Sequence, residues 1–171
     1  MNKLILLVVG GTVLLFGGIL AVDAQKQKQK QQASSFGGSD DEVISERGVH
    51  WHPELVIMIK GQKQEVSADI GIGVQYSKSR WYDPMMSMTN IHNHDSSGQL
   101  HWEVMEGPVK RGHAKLAAFF EIWGKSFNTN QIFDAKNGEG GTVTMLVNGQ
   151  PNTEFENYVV KDGDKIEIRY E

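Results

Sequence analysis

Five of the six histidines in this 171-residue chain fall into three short clusters. They are His50-Trp51-His52, His92-Asn93-His94-Asp95 and His101-Trp102-Glu103. In an extended strand, residues i and i+2 point to the same face. Each His-x-His therefore presents two imidazoles side by side, and His101-x-Glu103 presents an imidazole and a carboxylate. Three or four neutral imidazoles suit copper or zinc. The candidate metal ligands are His50, His52, His92, His94, His101 and Glu103. Met85, Met86 and Met88 lie just upstream, and thioether sulfur favours copper(I). Copper is the favoured ion and zinc the alternative. Glu103 or Asp95 could ligate directly or could orient a ligating imidazole. His113 stands apart, near a predicted helix start, and is left out of the set. A simpler reading stands beside each feature. One His-x-His pair can be a solvated strand end, and the methionines and Trp81, Trp102 and Trp123 can be packing residues. Asp95 and Gly98 read first as turn formers.

Two hairpins must position these groups. Leu55–Ile59 is a short apolar strand, Lys60–Lys63 reads as its turn, and Gln64-Glu65-Val66 as the start of the return. Thr89–His94 and Leu100–Met105 read as the arms of a second hairpin around Asp95-Ser96-Ser97-Gly98. With a four-residue loop, His92 sits opposite His101 and Asn90 opposite Glu103. His92, His94 and His101 then converge on one face, while Leu100, Trp102 and Val104 turn to the core. A three-residue loop with a glycine bulge would move His101 to the other face. The first register is preferred, because it gives the histidines a shared face.

The remaining elements complete an α+β pattern. Ile70-Gly71-Ile72-Gly73-Val74 reads as a glycine-interrupted extended stretch. Leu116, Phe119, Phe120 and Trp123 follow helical spacing, so a helix is predicted over 114–125. Asn128–Gly141 is polar and glycine-rich and reads as a loop. Val143–Val147 is a strand entering the Asn148-Gly149 turn. Lys165–Tyr170 is a last, half-buried strand. The tail Val147-Asn148-Gly149 … Lys161-Asp162-Gly163-Asp164-Lys165-Ile166-Glu167-Ile168 resembles ubiquitin-like β-grasp proteins, including the small sulfur carriers. That resemblance implies a β-grasp-like mixed sheet with one helix and an inserted His-bearing β-hairpin. It does not extend to carrier chemistry, which needs a terminal Gly-Gly, because this chain ends Arg169-Tyr170-Glu171.

Composition divides the chain into three segments. Leu4–Val22 is an uncharged apolar run of 19 residues, long enough to cross a bilayer as a helix. Residues 1–24 read as a transmembrane anchor, with a cleaved signal as the alternative because Val22-Asp23-Ala24 fits a small-x-small site. Residues 25–47 read as a flexible linker, first Gln/Lys-rich and then Ser/Gly-rich. Residues 48–171 are the globular domain. Lys26, Lys28 and Lys30 come after the run and only Lys3 precedes it, so a literal positive-inside count keeps the domain in the cytoplasm. Short amino-terminal anchors often export the domain attached to them, and an extracytoplasmic domain is the preferred expectation.

One further pattern spans most of residues 48–171. It comprises Gly48-Val49-His50-Trp51-His52-Pro53-Glu54-Leu55, Ile70-Gly71-Ile72, Ile91-His92-Asn93-His94-Asp95 … Gly98 … His101-Trp102-Glu103 and Phe119-Phe120-Glu121-Ile122-Trp123-Gly124. It resembles a family of uncharacterised prokaryotic membrane-anchored proteins. The resemblance implies an anchored, exported domain and brings no established activity. This chain has Asn93 where threonine is usual in that family. The position points away from the histidine face, so little effect is expected.

Composition excludes several classes. There is no cysteine, hence no disulfide framework, thiolate zinc site, iron–sulfur cluster or thiol catalysis. A net charge of −4 gives no basic face for nucleic acid. No serine triad, phosphate loop or dinucleotide fingerprint is present, and His50-x-His52 with Glu54 matches a cupin motif only faintly. The leading expectation is a membrane-anchored metal-binding protein acting in binding, delivery or protection. A His-ligated metalloenzyme with Glu103 as proton acceptor is the second. An anchored interaction domain with structural or pH-sensing histidines is the third.

Overall fold

The structure, a computed structural model, describes residues 38–171. The anchor read at residues 1–24 and the linker as far as residue 37 lie outside the described residues. Among the described residues no helix is long and apolar enough to cross a membrane.

Ser39–Glu171 forms one unit with an α+β fold. Its two principal sheets contain β1 (Val49–Trp51), β2 (Glu54–Ile59), β3 (Gln62–Gln64), β4 (Ile91–His92), β5 (His101–Val104), β6 (Val143–Val147), β7 (Gln150–Pro151) and β8 (Lys165–Tyr170). Helix α1 is Leu116–Trp123. The larger sheet has the order β7-β6-β8-β2-β3. Its centre is the parallel pair β8–β2, in register from Lys165↔Glu54 to Tyr170↔Ile59. Alternation sets the buried face: Leu55 and Ile57, Ile166 and Ile168, and Val143 and Met145 all point inward. These residues join Leu116, Phe119 and Phe120 of α1 in one hydrophobic cluster.

Local chemistry explains where the elements begin and end. The first hairpin turns more tightly than expected. Lys60 and Gly61 both take positive φ (49° and 74°), the signature of a two-residue turn matched to strand twist. The return strand therefore starts at Gln62 rather than Gln64. The helix starts at Leu116 rather than Ala114, because Lys115 is extended (ψ 141°) and bridges to Val159. Arg111–Ala114 forms a separate 3₁₀ turn. Gly124 closes α1 in the left-handed conformation and donates to Glu121 O and Phe120 O. Ile70–Val74 is not extended. It is a sequence of turns leading into a 3₁₀ helix at Val74–Tyr76. The polar loop contains a small antiparallel meander, Phe127–Asn128, Gln131–Ile132 and Ala135–Lys136, pinned by the fully buried Ile132.

Part of the segment read as linker is folded. Val43–Ser45 pairs with Val109–Lys110. Asp41, Glu42 and Asp40 form ion pairs with Lys110, Arg111 and Lys115. The composition of 40–47 reads as polar spacer, but its acidic residues meet a basic strand and turn that lie far away in the sequence.

The two principal sheets meet at Gly98. Leu55 N–H donates to Gly98 O, Leu100 N–H donates to Pro53 O (both 2.8 Å), and Glu54 bridges to Gln99. Gly98 sits at φ 96°, and a Cβ there would collide with the Leu55 carbonyl oxygen. The backbones touch, so only glycine fits. We predict that Gly98→Ala destabilises the domain by more than the ~1–3 kcal/mol of backbone strain alone. Gly107→Ala, at φ 77° with nothing within 4 Å of its added Cβ, should cost only that strain. Urea unfolding of both variants checks the difference.

Candidate metal centre

The smaller sheet has the order β1-β5-β4. β1 pairs with β5 so that His50 faces Glu103 and Trp51 faces Trp102. β4 pairs with β5 so that Ile91 faces Trp102 and His92 faces His101. This is the preferred register of the second hairpin. One face carries Trp51, Trp102 and Ile91 into or against the core, and the other carries His50, Glu103, His101 and His92. Helix α1 packs behind β4. The arms are shorter than expected. Beyond His92 the backbone leaves its partner: Asn93 N–H donates to Ile70 O, and Leu100 N–H donates to Pro53 O. His94 therefore stands on the loop, past the end of the ladder.

All five clustered histidines meet nonetheless. Ring centroids are separated by 4.7 Å for His50–His52 and 4.9 Å for His52–His101. They are separated by 5.2 Å for His92–His101, 4.8 Å for His94–His101 and 4.9 Å for His92–His94. Two sets of three can each place one ring nitrogen per residue within 4.8 Å of one another: His50, His52 and His101, and His92, His94 and His101.

His92 is the most constrained of these residues. It is fully buried, and its Nδ1 lies 3.0 Å from the Thr89 carbonyl oxygen. A carbonyl oxygen can only accept, so Nδ1 carries the proton and Nε2 holds a free lone pair. That Nε2 is buried without a hydrogen-bond partner. Fixing one ring nitrogen on a backbone carbonyl while freeing the other is how proteins orient a metal-ligating imidazole. His101 is similar. Its Nδ1 is buried without a hydrogen bond and faces Glu103 Oε1 at 3.4 Å. Burial holds both imidazoles below their usual pKa near 6.5; for His101 the neighbouring His94 and His52 add to the effect. Neutral imidazole is the form that binds metal.

The other candidates take up distinct positions. The same Glu103 oxygen lies 2.9 Å from His50 Nε2, so this carboxylate sits between two imidazoles. His50 is exposed at the rim. His52 is half-buried, and its backbone N–H donates to Asp162 Oδ1. Asp95 accepts from Ser97 N–H, as a turn former does. His113 lies against Trp81, outside both sets of three. Met85 is 95% exposed.

The supporting residues were the ones hidden in the sequence. Asn93 is not a minor position. It is fully buried, accepts from Ile70 N–H through Oδ1, and donates to the Ser67 and Asp95 carbonyls through Nδ2. It thereby clamps the chain between His92 and His94. Gly71 lets the backbone pass directly against the site, since a Cβ there would lie 3.0 Å or less from Thr89, Ile91 and His92 atoms. The Ile70-Gly71-Ile72 motif and the departure at Asn93 were the only signals. Neither stated what it touched.

The chain matches no known protein family, no curated protein and no solved structure.

Two outcomes are expected. Asn93→Ala leaves the buried Ile70 N–H without its acceptor and frees two carbonyls on the exposed residues Ser67 and Asp95. It should cost about 1–3 kcal/mol for each partner that stays dry, read as a lower urea midpoint. The second concerns pH. The unfolded chain protonates His92 and His101 near 6.5, whereas the folded chain resists until lower pH. The unfolded state thus binds more protons below 6.5. The metal-free domain should hold its full stability above that pH and lose it as pH falls, by at most about 1.4 kcal/mol per pH unit for each imidazole. Denaturation at pH 7.5, 6.0 and 5.0 measures this, and stability rising towards acid would contradict it.

Proposed function

We propose that this chain is a membrane-anchored, extracytoplasmic metal-binding protein that holds copper, with zinc the alternative, in a cluster of strand histidines. The observation that carries the proposal is His92. A buried Nε2 lone pair with no partner costs about 1–3 kcal/mol, and such an orphan calls for a ligand. A transition-metal ion supplies one, with His94 and His101 already beside it. Copper is preferred because a nitrogen-donor site binds Cu²⁺ more tightly than Zn²⁺, and because Met85, Met86 and Met88 lie on the chain entering β4. The membrane assignment and the extracytoplasmic location rest on the apolar run Leu4–Val22, with the tether keeping the site near the bilayer.

The fold in this reading is β-grasp-like. The last strand of the larger sheet, β8, lies between the hairpins β2–β3 and β6–β7 and runs parallel to the first strand, β2, which supports that assignment. The smaller histidine-bearing sheet is then the insertion that distinguishes it.

One observation favours a metalloenzyme as the second reading. Glu103 lies beside both His50 and His101 on the open side of the cluster, where a carboxylate could take a proton from metal-bound water.

The test is metal titration of the full-length chain, in detergent micelles and without a His tag. Stoichiometric Cu²⁺ or Zn²⁺ is expected. His92→Ala should weaken it by about 100-fold or more, since losing a ligand costs at least what losing an orienting partner does. Glu103→Gln should cost about 10–100-fold. A parent chain with no tight binding of either ion would leave an anchored interaction domain instead.

A further inference from the structure

We infer that the cluster is a dinuclear centre, with two transition-metal ions sharing His101; this rests on the metal-binding reading above. The argument starts from reach. Ligand nitrogens lie about 2.0–2.1 Å from a bound ion, so two on one ion are at most about 4.2 Å apart. Among the described residues, the nitrogens divide into His50/His52/His101 and His92/His94/His101, with no set drawing on both pairs. One ion therefore cannot use all five imidazoles. Either one pair stays idle, or each pair holds its own ion.

Two features favour occupancy on both sides. His101 occupies the middle strand, with His52 at 4.9 Å on one side and His92 at 5.2 Å on the other. An imidazole has two nitrogens that point in different directions, so one ring can serve one ion on each side. Among the described residues, both buried histidine nitrogens without a hydrogen-bond partner belong to this arrangement: Nε2 of His92, beside His94, and Nδ1 of His101, which faces Glu103. A single ion on His92, His94 and His101 would leave a free pair of imidazoles and an adjacent carboxylate facing that second nitrogen. Glu103, 2.9 Å from His50 and 3.4 Å from His101, is placed to ligate the second ion. When both nitrogens of His101 bind metal, its one ring proton leaves to solvent. The ring then bridges the ions as an imidazolate.

The experiment uses the full-length, untagged chain in detergent, loaded with Cu²⁺. Ions per chain are counted by elemental analysis, and the integrated paramagnetic resonance signal is compared with total copper. The parent should take up two ions, with a signal well below the copper content because the bridge couples the two spins. His50→Ala/His52→Ala and His92→Ala/His94→Ala should each retain one ion with its full signal. If the second double variant fails to fold, His94→Ala alone replaces it, since His94 is exposed. One ion per chain in the parent overturns the dinuclear centre and leaves metal binding standing. Two ions with full signal intensity overturn the bridge through His101. No bound copper overturns both readings.

Discussion

The antiparallel register across β1, β5 and β4 is the constraint on which the site depends. It places His92 beside His101 and His50 beside Glu103. A shift of one residue would turn every one of these side chains to the opposite face. The register is held from behind. Trp51, Trp102 and Ile91 alternate with the site residues and pack against the core, so a slip would expose two indoles and bury the polar groups. The apolar face of a small sheet thus specifies the polar one.

That small sheet has little hydrogen bonding of its own. β4 contributes two residues to it, and its ladder ends where the chain turns to other partners. Rigidity is borrowed from outside the sheet. α1 packs behind β4, Asn93 ties the strand to the Ile70 turn, and the close approach at Gly98 ties the hairpin loop to the larger sheet. The larger sheet gains its order from the parallel pair β8–β2, joined from nearly opposite ends of the described chain. A parallel pair of this kind cannot form locally. The histidine cluster therefore depends on contacts distant in sequence.

The cluster opposes stability in the metal-free chain. Several imidazoles lie close together, two are substantially removed from water, and one has a lone pair without a donor. Protonation would add like charges to that space, and burial with neighbouring histidines pushes His92 and His101 towards neutrality. In the proposed metal-binding reading, the same burial that is costly in the metal-free chain leaves His92 and His101 largely desolvated and held towards their neutral, metal-binding form. A metal bound there, as proposed, would couple its binding energy to folding energy.

Much was legible without coordinates. The strands at 55–59, 143–147 and 165–170 follow from period-two burial, the helix from its Leu116, Phe119, Phe120 spacing, and the histidine face from i, i+2 alternation with His92 opposite His101. These are local periodicities, and local periodicity is a direct consequence of strand and helix geometry. The anchoring roles of Asn93 and Gly71, the folded stretch at 43–45 and the turn at Ile70–Val74 were not legible, because each depends on a partner distant in sequence. By itself the sequence determined which residues share a face and that five imidazoles are available. Only the tertiary structure decided that His50 and His52 reach His101 from the other side. It also decided that His92 loses its water while its Nδ1 is held by a carbonyl. Burial and cross-strand proximity arise from the packing of distant segments, and no single stretch of chain encodes them.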